Sequence, residues 1–226
     1  MAVTASGRAA LKFADRVEAG RLLAEQLRSY AGRPDALVLA LPRGGLPVAF
    51  EIATRLHLPL DIFLVRKLGA PGQPELAMGA IATGGARVLN EDVIRYLSVP
   101  PEVIEAVAHA EQIELERREQ AYRGERPTPD LHGKQVILVD DGLATGSSMR
   151  AAIGAVRTQS PARIIVAVPV AARETCEELK REVEELVCLR TPEPFSAVGL
   201  WYDDFSQTSD EEVRDLLQRA SETAAS

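Results

Sequence analysis

The chain has 226 residues, of which 46% are hydrophobic and 26% are charged, and its formal net charge at pH 7 is −7. This length and composition predict a single globular domain with a sizeable hydrophobic core. The net acidity argues against general nucleic-acid binding, which needs Lys and Arg to neutralise phosphates, but it leaves room for a local basic pocket.

Segments for export or membrane insertion are not expected. The first ten residues lack the continuous apolar stretch of a secretory signal, and no run approaches the roughly 18 uninterrupted apolar residues that a membrane helix requires. Cys176 and Cys188 have neither CxxC spacing nor a histidine at ligand spacing, so we interpret both as free thiols. We therefore expect a cytoplasmic protein without a membrane partner.

The first half of the chain predicts alternating helices and strands followed by a long loop. The predicted elements are a helix between Asp15 and Gly32, strands over 36–41 and 60–65, and a helix over 47–56. Residues 66–79 contain three glycines and two prolines and show no apolar period. We expect this segment to be a loop, of a length that is typical of functional lids.

The second half predicts a hairpin and then a parallel sheet. Gly84 and Gly85 separate two short apolar runs, which indicates a hairpin turn. The other predicted elements are helices over 90–97, 101–122, 147–157 and 172–182 and strands over 135–139, 164–168 and 186–189. Strands that alternate with helices favour an α/β fold with parallel strands and right-handed crossovers. Most charges over 111–119 are interpreted as a solvated helix face.

Residues 136–148 predict a phosphate-binding turn beside a sugar. An apolar strand ends in Asp140 and Asp141, small residues follow, and a helix then begins. The backbone N–H groups at a helix start lack partners and lie at the positive end of the helix dipole, so they suit a phosphate. Hydroxyl donors come from Thr145, Ser147 and Ser148, and Gly146 permits close approach. Two carboxylates would repel the phosphate itself, but they could accept hydrogen bonds from a ribose diol.

Two other nucleotide-binding motifs do not fit this segment. A P-loop requires a lysine after its last glycine, and Gly146 is followed by serine. A Rossmann fingerprint places its glycines before the ribose acid, whereas here the acids come first. An ordinary strand followed by a capped helix remains the simplest alternative, but it explains neither the paired acids nor the hydroxyl cluster.

The segment resembles the signature of type I phosphoribosyltransferases that binds phosphoribosyl pyrophosphate (PRPP). The PRGG, VRKLG and DDGLATG motifs are similar to those of bacterial members of this family, and the resemblance runs from about residue 13 to 217. It implies one domain over 1–226, with a mainly parallel sheet flanked by helices over about 13–190, a helical insertion, and a small C-terminal hood over about 191–226. It also implies that Asp140 and Asp141 contact the ribose hydroxyls and that 144–148 bind the 5′-phosphate through Ala144, Thr145, Gly146, Ser147 and Ser148.

Two further motifs are similar to the family's diphosphate-binding elements. Arg43, Gly44 and Gly45 follow the first predicted strand and resemble the pyrophosphate loop, in which a cis peptide often occurs. Arg66 and Lys67 resemble the basic residues at the start of the flexible catalytic loop, where they would engage the departing diphosphate. In some family members that loop serves the neighbouring subunit, so the resemblance implies a homodimer and leaves open whether 66–79 acts in cis or in trans.

The base pocket is the least defined part of the predicted site. Four aromatic residues lie in a short C-terminal segment, namely Phe195, Trp201, Tyr202 and Phe205. Trp201 and Tyr202 are candidates for stacking on a base, although packing of the C-terminal extension explains the cluster equally well. Glu75 is a further candidate for base recognition. Where the 6-oxopurine enzymes carry an acid, this sequence has Ala144, which puts hypoxanthine and guanine in doubt and leaves adenine, a pyrimidine or another amine open.

The resemblance implies transfer of the 5-phosphoribosyl group of PRPP to a nitrogenous base, with release of pyrophosphate. Mg²⁺ is the implied cofactor, held mainly by PRPP with help from Asp140 and Asp141 rather than by a dedicated protein site. Catalysis would then depend on positioning and charge stabilisation, with no protein nucleophile. The main alternative is a non-enzymatic regulatory protein that binds PRPP or a nucleotide.

Overall fold

The computed structural model describes residues 12–124 and 126–224. Its strands are β1 (Ala36–Ala40), β2 (Leu60–Ile62), β3 (Val65–Ala70), β4 (Gln73–Ala82), β5 (Ala86–Leu89), β6 (Gln135–Val139), β7 (Arg163–Val170) and β8 (Glu185–Arg190). Its α-helices are α1 (Arg16–Gln26), α2 (Gly45–Leu56), α3 (Glu91–Leu97), α4 (Pro101–Arg123), α5 (Ser147–Arg157), α6 (Arg173–Leu179) and α7 (Asp210–Ala224). None of the helices in these two ranges is both long enough and apolar enough to cross a membrane.

A five-stranded parallel sheet forms the centre of the protein, in the order β2-β1-β6-β7-β8. This confirms the predicted α/β class with parallel strands. Side chains alternate across the sheet, so Val38 and Ala40 pack in one core cluster while Leu37 and Leu39 pack in the other. Because β1 pairs with β6 along its whole length, the PRGG turn after β1 and the acids after β6 lie at the same sheet edge.

The predicted loop over 66–79 is wrong, because most of this segment is a β-hairpin. β3 and β4 pair antiparallel and turn at Pro71 and Gly72, and β5 adds a third strand. Leu68 and Met78 are fully buried in the core, which stabilises the hairpin. Glycine-rich strands lack a clear apolar period, so the pairing depends on contacts that the local pattern does not reveal. The predicted strand over 60–65 likewise divides, and Val65 begins the second sheet.

Helix α4 lies across the second sheet and is attached firmly at its C-terminal end. The side chain of Arg123 is 4% exposed and donates to both carboxylate oxygens of Asp61, at 3.1 and 3.2 Å, and to the carbonyl of Ile62 at 3.1 Å. The neighbouring Tyr122 hydroxyl donates to Asp210 at the start of α7, at 2.7 Å. These contacts hold the C-terminal end of α4 against β2 and the start of α7.

Candidate active site

The two adjacent aspartates after β6 face different surroundings. Asp140 lines a cavity of about 130 Å³ together with Arg66, Arg118 and Ser148. The Oδ1 atom of Asp140 accepts a hydrogen bond from the backbone N–H of Asp141 at 2.9 Å, which fixes the carboxylate near the start of the following turn. Asp140 therefore presents a carboxylate to the same cavity as a hydroxyl of the predicted phosphate-binding turn.

Asp141 is instead held by Arg16, which the sequence did not single out. The Nε and Nη2 atoms of Arg16 donate to Oδ2 of Asp141 at 2.9 and 2.8 Å, and the Arg16 guanidinium also lies 4.0 Å from the ring centroid of Phe205. The Tyr202 hydroxyl donates to the Asp141 carbonyl at 2.6 Å. A Cβ atom at Gly44 would overlap the Asp141 carboxylate, so glycine is required there.

Electrostatics differ between the two carboxyl groups. Burial raises the pKa of Asp140 well above its usual range, and repulsion by Asp141 raises it further. Burial also raises the pKa of Asp141, while the charge and hydrogen bonds of Arg16 oppose that change. A bound cation or the hydroxyls of a sugar would relieve the cost of ionising Asp140. The oxygen donors therefore fit the Mg²⁺ and ribose that the sequence predicts.

The turn over 144–148 has the geometry expected of an anion-binding helix start. Gly146 adopts a left-handed conformation with φ 71°. Its carbonyl accepts the first intrahelical hydrogen bond, from the Arg150 N–H at 2.9 Å. The N–H groups of Ser147 and Ser148 precede that bond and point out of the helix. The hydroxyls of Thr145 and Ser147 lie 3.0 Å apart. Ala144, Thr145, Ser147 and Ser148 are exposed.

Helix α6 supports this turn from behind. The buried Thr175 hydroxyl donates to the Ala144 carbonyl at 2.6 Å, and its methyl carbon would lie 2.7 Å from a Cβ atom added at Gly146. Leu143 is tied to β7 through the bond from its N–H to the Val170 carbonyl, at 2.9 Å. Thr175 carried no recognisable sequence signal, because it lies in the middle of a short helix.

The PRGG turn packs directly against the end of β6. A Cβ atom on Gly45 would lie 2.7 Å from the Val139 carbonyl and 2.9 Å from Cα of Asp140, so the turn can approach this closely only with glycine. The peptide bond between Pro42 and Arg43 is cis, as is frequent in the family that the turn resembles. The structure thus brings the PRGG turn and the acidic strand end together.

Only one residue of the predicted basic pair lines the Asp140 cavity. Arg66 lines it and donates from Nε to Oε2 of Glu111 on α4 at 2.6 Å. Lys67 is the next residue of β3 and is exposed, and successive side chains of a strand point to opposite faces. The structure therefore does not place Lys67 beside Asp140.

Helix α4 contributes charged residues that sequence reasoning assigned to solvent. Glu111 pairs with Arg66, Arg118 lines the Asp140 cavity, and Arg117 and Arg118 both line a second cavity with Arg43. The interpretation of most charges over 111–119 as a solvated face agrees with the exposure of Arg117 and Arg118, although both arginines also border a cavity. A signal was present, because Glu111, Leu115, Arg118 and Tyr122 follow one another at spacings of a single helix face.

The proposed base-pocket residues have different surroundings. Tyr202 is 3% exposed, and its ring centroid lies 5.5 Å from that of Phe13 and 5.1 Å from that of Phe205, which fits the packing alternative. Trp201 is partly buried, and its indole nitrogen has no hydrogen-bond partner within the described ranges. The backbone of Glu75 belongs to β4, while its side chain lies outside the described part of the structure.

Comparisons with known proteins show which family the chain is similar to. The family model for the phosphoribosyl transferase domain matches residues 13–200. Two relatives, from Mycobacterium tuberculosis strains CDC 1551 and H37Rv, have names that assign them provisionally as phosphoribosyl transferases. Each is 45% identical over 208 residues, which cover 92% of this chain and 47% of the relative. This chain thus spans about half the length of these relatives.

One solved structure is similar to this chain along nearly the entire length of both proteins. The crystal structure of the protein TT1426 from Thermus thermophilus matches with a TM-score of 0.83 and 46% identity, covering 92% of this chain and 98% of that one. The resemblance inferred from the PRGG, VRKLG and DDGLATG motifs is therefore confirmed at the level of the family. The chain belongs to the family of proteins with a phosphoribosyl transferase domain.

Proposed function

We propose that this protein transfers the 5-phosphoribosyl group of PRPP to a nitrogenous base and releases pyrophosphate. The observation that carries the proposal is the shared cavity of Asp140, Ser148 and Arg66 next to the PRGG turn. An acceptor suited to sugar hydroxyls, a helix start suited to a phosphate and a cation suited to the leaving group lie at the same edge of the sheet. These are the three recognition elements that PRPP requires.

Each group has a distinct part in the proposed reaction. The N–H groups and hydroxyls of 144–148 bind the 5′-phosphate, and Asp140 accepts from the ribose hydroxyls. Asp141, which Arg16 holds and which packs against Gly44 of the PRGG turn, stays a predicted contact of the ribose hydroxyls. Arg66 stabilises the charge that develops on the diphosphate as its bond to C1 breaks and the base nitrogen attacks. Bound Mg²⁺ would neutralise further diphosphate charge.

Several finer assignments belong to the same proposal. We propose a cytoplasmic homodimer that acts in nucleotide salvage, does not bind nucleic acid, and uses Mg²⁺ held mainly by PRPP. Trp201 and Glu75 stay predictions for base recognition, and Tyr202 supports the site by packing. Because Ala144 cannot accept a hydrogen bond from a purine ring through its side chain, bases other than hypoxanthine and guanine are the first candidates.

The test is a screen of nucleobases for pyrophosphate release from Mg²⁺-PRPP. We expect release with at least one base and a loss of about a hundredfold or more when Asp140→Asn and Asp141→Asn are combined. Calorimetric PRPP binding is measured in parallel. Binding without release from any base would favour the regulatory alternative, whereas absence of PRPP binding would refute both.

A further inference from the structure

A second, strongly charged cavity lies beside the PRGG turn. It has a volume of about 240 Å³, and its lining includes Arg43, Arg117, Arg118, Tyr122 and Asp210. Three guanidinium groups and the Asp210 carboxylate line it, and Glu114 pairs with Arg117 and Arg118, so the local charge is still positive although the whole chain carries −7. A cavity with this lining suits a multiply charged anion.

This basic cavity adjoins the cavity of Asp140. Both are lined by Pro42, Leu64 and Arg118, so Arg118 lies at their common boundary. A ligand whose sugar contacts Asp140 could therefore extend past Pro42 into the basic cavity. Arg43, Arg118 and Tyr122 line the same cavity, so the two guanidinium groups border it from the PRGG turn and from α4.

We propose that Arg118, supported by Arg43 and Arg117, binds the diphosphate of PRPP in this cavity. The inference rests on the proposed function and adds residues of α4 to it. The sequence motifs supplied Arg43, Arg66 and Lys67 for the diphosphate, but of the β3 pair only Arg66 lines the Asp140 cavity. Lys67 does not line either cavity, and the α4 residues Arg117 and Arg118 supply positive charge there instead.

Present partners of these arginines are easily exchanged for a diphosphate. Arg117 and Arg118 share Glu114, at 2.7 and 2.8 Å, and their side chains are 65% and 44% exposed. Arg43 contacts Asp210 at 3.4 Å, near the limit of a hydrogen bond. Exposed pairs contribute little to stability, whereas the planar guanidinium can bind phosphate oxygens through two parallel hydrogen bonds.

Ligand binding by single variants tests the proposal. PRPP, Mg²⁺-pyrophosphate and ribose 5-phosphate are titrated calorimetrically into the wild type, Arg118→Ala, Arg118→Lys and Arg95→Ala. Arg95 is an exposed control on α3 that pairs with Asp92. We expect Arg118→Ala to weaken pyrophosphate binding about tenfold to a hundredfold and to leave ribose 5-phosphate within about twofold of the wild type. Arg118→Lys keeps the positive charge but loses the planar guanidinium that forms two parallel hydrogen bonds, so its affinity for pyrophosphate should be intermediate.

The outcomes separate this inference from the proposed function. A wild type that does not bind PRPP would refute the function and, with it, the inference. If the wild type binds PRPP but Arg118→Ala binds pyrophosphate as tightly as the wild type, only the inference is overturned. An equal loss of ribose 5-phosphate and pyrophosphate would also overturn it, because that result indicates a structural role. If Arg118→Ala does not fold, Arg118→Gln is measured against the same criteria.

Discussion

Adjacent identical residues have different contacts in this site. Asp140 and Asp141 are equivalent in the sequence motif, but within the described ranges only Asp141 is hydrogen-bonded to an arginine, and only Asp140 lines the cavity with Ser148. Arg16 lies 125 residues before Asp141, and no local pattern links two positions so far apart. The two aspartates of the site could thus be predicted from sequence. The pairing of Asp141 with Arg16 could not, because it depends on the packing of α1 against the sheet edge.

Asp140 is expected to lower the stability of the ligand-free protein at neutral pH. Its pKa in the folded state lies above that of an unfolded Asp, about 3.9, so the folded state binds the proton more tightly. The stabilising contribution of the protonated form is therefore complete below about pH 3.9 and is lost as the pH rises through the folded-state pKa. In the proposed function, ionised Asp140 is retained because it binds the ribose hydroxyls.

Asp140→Asn should raise the free energy of unfolding at pH 7 by about 0.5–2 kcal/mol while abolishing PRPP binding. Asparagine keeps an oxygen that can accept from the Asp141 N–H but does not ionise. The gain should disappear below about pH 4. Urea denaturation of variant and wild type across this pH range measures the difference.

Asp141→Asn is the matched control for this prediction. It removes the charge that pairs with Arg16, whose guanidinium is largely buried beside it, so it should destabilise the protein. A variant Asp140→Asn that is less stable than the wild type at pH 7 would contradict the assigned difference between the two carboxyl groups.

At the scale of elements, prediction succeeded where the pattern is local. Strand β6 and helix α5 have the predicted bounds, 135–139 and 147–157, because an unbroken apolar run and a regular helical period each define one element. The β3–β4 hairpin was missed because its glycines obscure the alternation of apolar residues and because its register shifts between Leu68 and Ala70. The cavity-lining positions of Arg117 and Arg118 could not be predicted from α4 alone, because these exposed arginines meet β3 and the PRGG turn only in the folded chain.

Arg123 is expected to anchor α4 and, through it, the basic cavity. Arg123→Ala should reduce the free energy of unfolding by about 3–5 kcal/mol, since it leaves the carboxylate of Asp61 without its buried partner. Denaturant titration measures the loss. The exposed variant Arg95→Ala should change stability by less than about 0.5 kcal/mol. A loss for Arg123→Ala no larger than that of the control would show that α4 is held by other contacts.

At the scale of the whole molecule, the described part of one chain brings together residues from β3, α4 and the acidic strand end. Arg66 and Asp140 line the same cavity, and Arg66 is held by Glu111 of its own chain. The sequence left open whether the segment starting at Arg66 serves its own subunit or a neighbour. The hairpin geometry favours action in cis, because a β-strand paired on one side and packed against α4 has little freedom to reach another subunit.

Mixing two inactive variants tests action in cis. Arg66→Ala and Asp140→Asn each remove one group from the site, and the proteins are combined under conditions in which differently tagged subunits exchange. If each site is built from one chain, mixed dimers contain no intact site, and pyrophosphate release should stay at the level of the separate variants. If Arg66 acts across an interface, half of the dimers are mixed and each has one intact site, so about a quarter of the wild-type activity should return. Mixing of wild type with each variant, followed by recovery on one tag, confirms that exchange has occurred. Because Arg66 already lies beside Asp140 within a single chain, we expect no recovery.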